Sequence, residues 1–340
     1  MLKINYLKDF FSKSPDSALG LDIGNLNVKL FKAGSLKNKV FSFAAVPIQP
    51  EGSTEKIIGA IKEAHRLLNA DTNKVNISLC GSNVLVRYVV LPQMKDADIR
   101  KSLDFELEKY IPYKKEDTVI DFCVLKRLVN NKAMILLAAS ERRVIQDRVN
   151  LVREAGLEVD SINIDCLALF NTFKFIYPDF KGVVGLLDVG YKMTKLVVLD
   201  NGIPHFSRDI ESGRYNVLQL LGNKMSLPIN KAEEFEMGLL GNSPENIMEI
   251  VGSYIRHLVN ELLLSFEYCE RDLAKKVERV SLTGGGSNTK GLSVELQKIL
   301  TIPVDFLDLN HTLKVAPSSG SRASLNNVAN LAVSMGLAIA

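Results

Sequence analysis

Two short segments of this sequence repeat an aspartate and a glycine at the end of an apolar run. Asp22–Ile23–Gly24 lies in LGLDIGNLNVKLFKAG (19–34), and Asp188–Val189–Gly190 lies in LLDVGYKMTKLVVLDNG (186–202). Each segment predicts a β-hairpin whose glycine lets an incoming group approach the backbone and whose turn N–H groups form an anion-binding concavity. A carboxylate beside the turn suits hydrated Mg²⁺, which prefers one or two carboxylates together with phosphate oxygens. Two such hairpins predict the binding of a polyphosphate and its metal ion.

A third, glycine-rich motif supports this interpretation. VSLTGGGSNTKGL (280–292) predicts an apolar strand, a turn at Gly284–Gly286 and a helix, an arrangement that lets a nucleotide lie against bare backbone. It is not a P-loop, since GxxxxGK[ST] is absent, and it is not GxGxxG, since Thr289 holds the last position. Each motif alone also fits an ordinary tight turn. Their combination in one chain favours a nucleotide site.

The apolar pattern indicates strands and helices that alternate in both halves of the chain. Residues 18–49 predict a strand meander followed by a helix through Leu68, and the pattern restarts at Gly182 with strands over 183–208. Such alternation is typical of α/β layers around a mostly buried sheet. No low-complexity linker divides the halves, so we expect a hinge near residues 178–182.

The composition restricts the class of protein. The 340 residues are 46% hydrophobic and 24% charged, the balance of a globular protein of about two domains. The net charge of +3 does not indicate a nucleic-acid partner. Four cysteines lie far apart without a CxxC pair, which predicts buried thiols in a reducing compartment. Neither a signal peptide nor a membrane span is predicted, and the expected location is the cytoplasm.

The first residues form a separate feature. Ile4, Leu7, Phe10 and Phe11 share one helical face, and lysines surround it. This pattern predicts a short amphipathic helix that docks on a partner or membrane surface, and the alternatives are docking on the protein's own body and disorder.

Taken together, the three motifs resemble the phosphate-1, phosphate-2 and adenosine motifs of the actin/Hsp70/sugar-kinase superfamily. Within it, two segments resemble the inserted subdomain of the PilM family of actin-like type IV pilus assembly proteins. They are LPQMKDADIRKSLDFELEKYIPYKKEDTVIDFCVL (91–125) and AASERRVIQDRVNLVREAGLEVDSINIDCLALF (138–170). The similarity extends from about residue 17 to the C-terminus.

This resemblance implies an α/β, bilobed actin-like ATPase fold with two related mixed-sheet lobes and an inserted small α+β subdomain. The expected divisions are an N-terminal amphipathic segment (1–16), the first part of lobe one (17–90), the inserted subdomain (91–170) and lobe two (171–340). The closing C-terminal helix would return toward lobe one. ATP and Mg²⁺ would lie between the lobes.

The resemblance also assigns residues to these ligands. For ATP they are Asp22, Gly24, Asn25, Asn27 and Lys29 in lobe one, Asp188, Gly190, Lys192 and Thr194 in lobe two, Gly284, Gly285, Gly286 and Ser287 for the adenosine, and Glu233 and Glu261 for the ribose and adenine. Asp22 and Asp188 would hold Mg²⁺ through water. Asp188 is also the candidate catalytic residue of what would be at most a slow ATPase.

Three positions depart from the family pattern. Asn25 and Asn27 stand where relatives have Ser or Thr after the first glycine, and their amides still donate N–H groups. Glu236 stands where relatives have a lysine, three residues beyond the glutamate of the Ala-Glu helix. A carboxylate there would repel a nucleotide unless it points away.

The implied function is that of a cytoplasmic adaptor in a type IV pilus or related secretion machine, peripheral to the inner membrane through its partners. The expected partner is the N-terminal cytoplasmic peptide of a PilN-like bitopic membrane protein, bound in a groove between the insert and lobe one. Other alignment and motor components of the pilus are further expected partners, and self-association is left open. Leu103, Leu107 and Tyr110, one helical turn apart, are the candidates to line the groove, unless they face the subdomain's own core.

A phosphotransferase of the same superfamily, such as a sugar or acetate kinase, is the alternative. Such an enzyme needs a general base that takes the proton of the acceptor hydroxyl. No lone carboxylate in a glycine-rich segment of the sequence fits this role.

Overall fold

A computed structural model describes residues 19–33, 40–50, 52–106, 109, 111, 115–236, 247–309, 314–317 and 329–340 of the chain. The chain forms two compact units. Among the described residues, unit 1 comprises those up to residue 176 together with 314–317 and 331–340, and unit 2 comprises those of 177–309 together with 329 and 330. The predicted N-terminal helix lies outside the described residues.

Strands and helices alternate through both units. In chain order the strands are β1 (Leu19–Ile23), β2 (Asn27–Ala33), β3 (Val40–Pro47), β4 (Lys74–Leu79), β5 (Val84–Pro92), β6 (Thr118–Leu128), β7 (Lys132–Glu141), β8 (Glu158–Ile164), β9 (Val183–Val189), β10 (Thr194–Asp200), β11 (Ile203–Ile210), β12 (Arg279–Thr283), β13 (Val304–Phe306) and β14 (Lys314–Pro317). The helices are α1 (Thr54–Leu68), α2 (Asp96–Phe105), α3 (Arg142–Glu154), α4 (Asp165–Ile176), α5 (Arg214–Met225), α6 (Ile229–Glu236), α7 (Ile247–Leu273), α8 (Leu292–Leu300) and α9 (Ala332–Ala338). Short 3-10 turns lie at Gly81–Asn83, Lys115–Asp117 and Gly285–Asn288.

The main sheets of the two units share a five-stranded topology, to which unit 1 adds β14 at one edge. The sheet of unit 1 has the order β14-β3-β2-β1-β4-β8, and that of unit 2 has the order β11-β10-β9-β12-β13. In unit 1, β1 is antiparallel to β2 and parallel to β4, β2 is antiparallel to β3, and β4 is parallel to β8. The strands of unit 2 repeat these directions one for one. This repetition confirms the predicted α/β class with two related mixed sheets.

The two faces of strand β1 pack against different helices, because large and small residues alternate along the strand. Leu19 and Leu21 are each 1% exposed and join α1 and α3 in one apolar core. Gly20, between them, faces α9, and a Cβ at this glycine would lie 1.9 Å from the Ser334 carbonyl oxygen. Asn76 on β4 fixes the same helix by donating a hydrogen bond to the Leu337 carbonyl at 2.9 Å. The end of the chain is therefore packed against the backbone of unit 1.

The central strand of unit 2, β9, is buried along its whole length. This burial is expected where a strand has helices on both faces of its sheet. Val251, Leu258 and Leu262 recur at helical spacing along α7 and are buried in the same core as β9. The core therefore holds the carboxyl end of β9, where Asp188 lies, in a fixed position.

A small three-stranded sheet, in the order β5-β7-β6, is inserted in unit 1 between β4 and β8. Helix α2 covers it, with Ile99 and Leu103 against Ile135 and Leu137. The small sheet occupies residues 84–141, whereas the sequence analysis placed the insert at 91–170. Strand β8, which lies within that predicted range, pairs with β4 in the main sheet. Within the described part of the chain, no helix has the length and apolarity to cross a membrane.

Candidate functional site

The first hairpin brings Asp22 and Lys29 together across β1 and β2. The two residues are opposite each other in the antiparallel register, and Lys29 Nζ lies 2.8 Å from Asp22 Oδ2. Both side chains are 13% exposed. At the turn, the Gly24 N–H donates to the Asn27 carbonyl at 3.0 Å, and Asn25 is exposed. The hairpin therefore presents a paired carboxylate and ammonium beside a tight turn.

The second hairpin has the same construction. Asp188 on β9 faces Lys195 on β10, and Nζ lies 3.2 Å from Oδ2. The Gly190 N–H donates to the Met193 carbonyl at 2.9 Å, as Gly24 does to Asn27 in unit 1. Lys192 lies half-buried within the turn.

Lys195 is not among the residues that the sequence analysis selected. The signal was present, because Asp22 to Lys29 and Asp188 to Lys195 are both separated by seven positions.

The glycine-rich turn lies directly on the second hairpin. Gly284 has a φ of +86°, and a Cβ there would lie 2.2 Å from Asp188 Oδ1 and 2.8 Å from the Val189 nitrogen. At Gly286 a Cβ would lie 2.9 Å from the Gly190 carbonyl oxygen. Gly285, in contrast, is exposed, and a Cβ there would have no neighbour within 4 Å. Packing thus explains the outer two glycines, whereas the middle one leaves bare backbone open to a ligand.

Two hydroxyl residues of the predicted set are structural rather than exposed to a ligand. Thr194 is fully buried and donates to the Ser212 carbonyl at 2.6 Å, and Ser287 is 1% exposed and donates to the Gly284 carbonyl at 2.6 Å. Their side chains therefore stabilise the hairpin and the glycine turn.

Tyr254 lies near Thr194 in the core of unit 2. Burial raises the pKa of Tyr254 to about 12, while the neighbouring Thr194 and Ser212 hydroxyls act to lower it.

The Ala-Glu helix, α6, is tied to the hairpin through Arg214. The Arg214 N–H donates to the Gly190 carbonyl at 3.0 Å, so the first residue of α5 lies on the turn. Its guanidinium donates to Glu233 Oε1 at 2.8 Å and, from Nε and Nη2, to Glu236 Oε2 at 2.9 and 2.8 Å. The Glu236 side chain is only 4% exposed. The carboxylate that departs from the family pattern is therefore buried and neutralised.

Glu261 has a different setting. It lies on α7, and its carboxylate accepts a hydrogen bond from Arg208 Nη2 on β11 at 2.6 Å. Arg208 also donates to Ser265 Oγ at 3.2 Å. These contacts attach Glu261 to the outermost strand of the unit 2 sheet, which leaves its predicted contact with ribose or adenine as an expectation.

Apart from the hairpins and the glycine turn, a pocket lies within unit 1, between the small sheet and the main sheet. The pocket is small and partly open to solvent, and its lining is mostly apolar. The small sheet contributes Val84, Val119 and Asp121, and β8 contributes Asn163 and Ile164.

Of the three predicted partner-binding residues, the structure describes Leu103, which is not part of this lining. Leu103 is 1% exposed in the core of the small sheet, so its own side chain offers no contact surface. Leu107 and Tyr110 lie outside the described residues.

Comparison with known proteins supports the resemblance seen in the motifs. A model of the family described as type IV pilus assembly protein PilM matches residues 20–340. A solved PilM-PilN type IV pilus biogenesis complex matches with a TM-score of 0.82 and 22% identity, over 95% of this chain and 98% of that chain.

Two further solved structures share the fold. The ethanolamine utilization protein EutJ from Carboxydothermus hydrogenoformans matches with a TM-score of 0.58 and 15% identity, over 99% of this chain and 92% of that chain. MreB 5 of Spiroplasma citri, bound to AMPPNP, matches with a TM-score of 0.50 and 13% identity, over 95% of each chain. The predicted actin-like fold is confirmed.

Proposed function

This chain belongs to the family of type IV pilus assembly protein PilM, and we propose that it is an ATP-binding adaptor of such a pilus machine. It binds ATP with Mg²⁺, and it binds the N-terminal cytoplasmic peptide of a PilN-like bitopic inner-membrane protein. Through that peptide it is held at the cytoplasmic side of the inner membrane.

The observation that carries the nucleotide proposal is the repeated hairpin with its aspartate–lysine pair. ATP supplies anionic phosphate oxygens, for which an ammonium group and turn N–H groups are suitable donors. Asp22 and Asp188 would hold Mg²⁺ through its water shell, since this ion keeps several waters and needs only one or two carboxylates.

The other end of the nucleotide is assigned to unit 2. Gly285 leaves exposed backbone for the adenosine. Glu233 is the proposed acceptor for a ribose hydroxyl, and Arg214 fixes its carboxylate at 2.8 Å. Asn25, Asn27 and Lys192 remain proposed phosphate contacts through their amide or ammonium N–H groups.

The unit 1 pocket is the proposed anchor site for the partner peptide. Its apolar lining suits one inserted hydrophobic side chain, and Asp121 and Asn163 supply polar groups at the same pocket. The order β5-β7-β6 leaves β5 and β6 as the outer strands of the small sheet, where an extended peptide can add by backbone hydrogen bonds. Leu103 would then act only by fixing α2, and Leu107 and Tyr110 remain proposed contacts.

The partner proposal is tested by titrating the full chain with a labelled peptide that comprises the cytoplasmic tail of the bitopic protein. We expect Val119→Lys, which places a charge in the pocket, to weaken binding about tenfold or more. The matched control is Val129→Lys in the β6–β7 turn, where the side chain is 83% exposed and outside the pocket. Equal affinities for the two variants would place the peptide elsewhere, and no binding by the natural chain, with or without ATP, would refute the adaptor function.

A further inference from the structure

We propose that Lys195 is a second phosphate-binding lysine, which does in unit 2 what Lys29 does in unit 1. The proposal rests on the proposed function of nucleotide binding and deepens it. The family resemblance assigns Lys29 to the phosphates and does not assign Lys195, so the inference comes from the geometry of the two hairpins.

The two lysines occupy equivalent positions in a repeated motif. Each lies opposite an aspartate in an antiparallel register, seven residues after it, and each places Nζ within salt-bridge distance of the aspartate Oδ2. In each hairpin, the turn between the aspartate and its lysine is closed by the same hydrogen bond, from a glycine N–H to the carbonyl three residues later. Since the strand order is also repeated, a role found in one hairpin is expected in the other.

The surroundings of Lys195 indicate a ligand rather than a purely structural ion pair. Asp188, its partner, contacts the glycine turn through Oδ1, because a Cβ at Gly284 would lie 2.2 Å from that oxygen. Asp188 therefore binds the Lys195 ammonium through Oδ2, while its Oδ1 contacts the glycine turn of the proposed nucleotide site. A phosphate oxygen could replace that carboxylate oxygen as acceptor without leaving the ammonium unpaired.

Burial of this pair is difficult to explain by stability alone. The Lys195 side chain is 16% exposed and that of Asp188 is 10% exposed. Removing two charges from water costs free energy, and their mutual attraction often offsets that cost only just. Apolar residues of similar volume commonly give the folded protein the same stability. At the other end of β10, Lys275 binds Asp200 at 2.8 Å; this aspartate is also buried, with 9% of its side chain exposed, but the lysine side chain is 49% exposed, against 16% for Lys195.

The test measures dissociation constants of the full chain for ATP, ADP and AMP in excess Mg²⁺ by isothermal titration. We expect Lys195→Gln to weaken ATP binding about tenfold or more, Lys29→Gln to weaken it comparably, and Lys195→Arg to retain most of the affinity. AMP should be affected much less than ATP, because the lysine acts on the phosphate chain. Lys275→Gln is the matched control and should bind ATP as the natural chain does.

Each remaining outcome counts against the proposal in a distinguishable way. ATP binding that is unchanged in Lys195→Gln, or weakened equally for AMP, assigns Lys195 a structural role and leaves the nucleotide function intact. If the natural chain binds no nucleotide, both the function and this inference fall. Thermal unfolding of each variant without ligand separates loss of binding from loss of fold, and Lys195→Arg keeps the test usable if Lys195→Gln is unstable.

Discussion

Arg214 donates two hydrogen bonds, from Nε at 2.9 Å and from Nη2 at 2.8 Å, to a single oxygen of Glu236. The same guanidinium binds Glu233, so one cation on α5 holds two carboxylates of α6. The family resemblance implies a lysine at the position of Glu236, and here a positive charge reaches the same helix from α5. The arrangement explains how a glutamate is accommodated next to a proposed nucleotide site.

We expect Arg214→Ala to destabilise the protein by about 3 kcal/mol, because it leaves the buried Glu236 carboxylate without its partner. Urea unfolding measures the change. The double variant Arg214→Met with Glu236→Gln should recover most of the loss, since it removes both charges together. The control is Arg66→Ala, which breaks an exposed pair with Glu63 on α1 and should leave stability nearly unchanged. A similar small effect for Arg214→Ala would contradict the structural role given to this arginine.

The fold was predictable where its signal is local. The Asp-x-Gly hairpins and the glycine turn are continuous in sequence, so residue type and spacing identified them. The sheet that β8 enters was not predictable, because this strand pairs with β4 about 80 residues earlier. A strand pattern alone does not say which sheet the strand enters. The Arg214–Glu236 pair likewise joins two helices, and only the tertiary structure brings the residues together.

Cross-strand pairing along β10 would have improved the choice of site residues. Thr194 lies on the same face of the strand as Leu196 and Val198, which belong to the apolar core, and its own side chain is buried. Lys195 points to the opposite side, where Asp188 meets it. The family motif directed attention to the threonine, whereas strand geometry selects the lysine.

The glycine turn provides a stability test that separates packing from ligand binding. Gly284→Ala should destabilise the chain by about 1–3 kcal/mol, because φ is +86° and the new Cβ would meet Asp188 and the Val189 backbone. Gly285→Ala should leave the stability of the ligand-free protein almost unchanged, since nothing lies within 4 Å of its Cβ. We expect it to weaken ATP binding instead. Equal unfolding curves for the two variants would show that the turn is not packed as described.

The paired aspartates predict a thermal signature. ATP with Mg²⁺ at about 100 times its dissociation constant should add about 2.7 kcal/mol of stability, seen as a higher melting temperature. Asp22→Asn with Asp188→Asn should abolish most of that shift. Asp71→Asn, which removes the partner of Lys32 on the surface of unit 1, is the control and should keep it. A full shift in the double variant would remove both aspartates from the proposed site.

The buried Tyr254 hydroxyl predicts a loss of stability at alkaline pH. Its pKa is raised to about 12 by burial, against about 10 for an exposed tyrosine. The unfolded chain therefore loses this proton first, and the free energy of unfolding falls as the pH rises from about 10 to about 12. We expect Tyr254→Phe to show a shallower fall over the same range in urea titrations. Identical pH profiles for the variant and the natural chain would mean that this tyrosine titrates normally.

Hydrolysis of ATP is predicted to be slow, well below the median enzyme turnover of about 10 per second. Asp188 is the candidate for orienting the attacking water, but its Oδ1 lies against the glycine turn. An assembly protein needs only different affinities for nucleotide in its two states, and rapid turnover is not required. Phosphate release is measured for the natural chain and for Asp188→Asn, both purified in the same way. Activity that the two preparations share is assigned to a contaminating enzyme. The assay is repeated with sugars and acetate as acceptors, and fast phosphorylation of any of them would establish the phosphotransferase alternative instead.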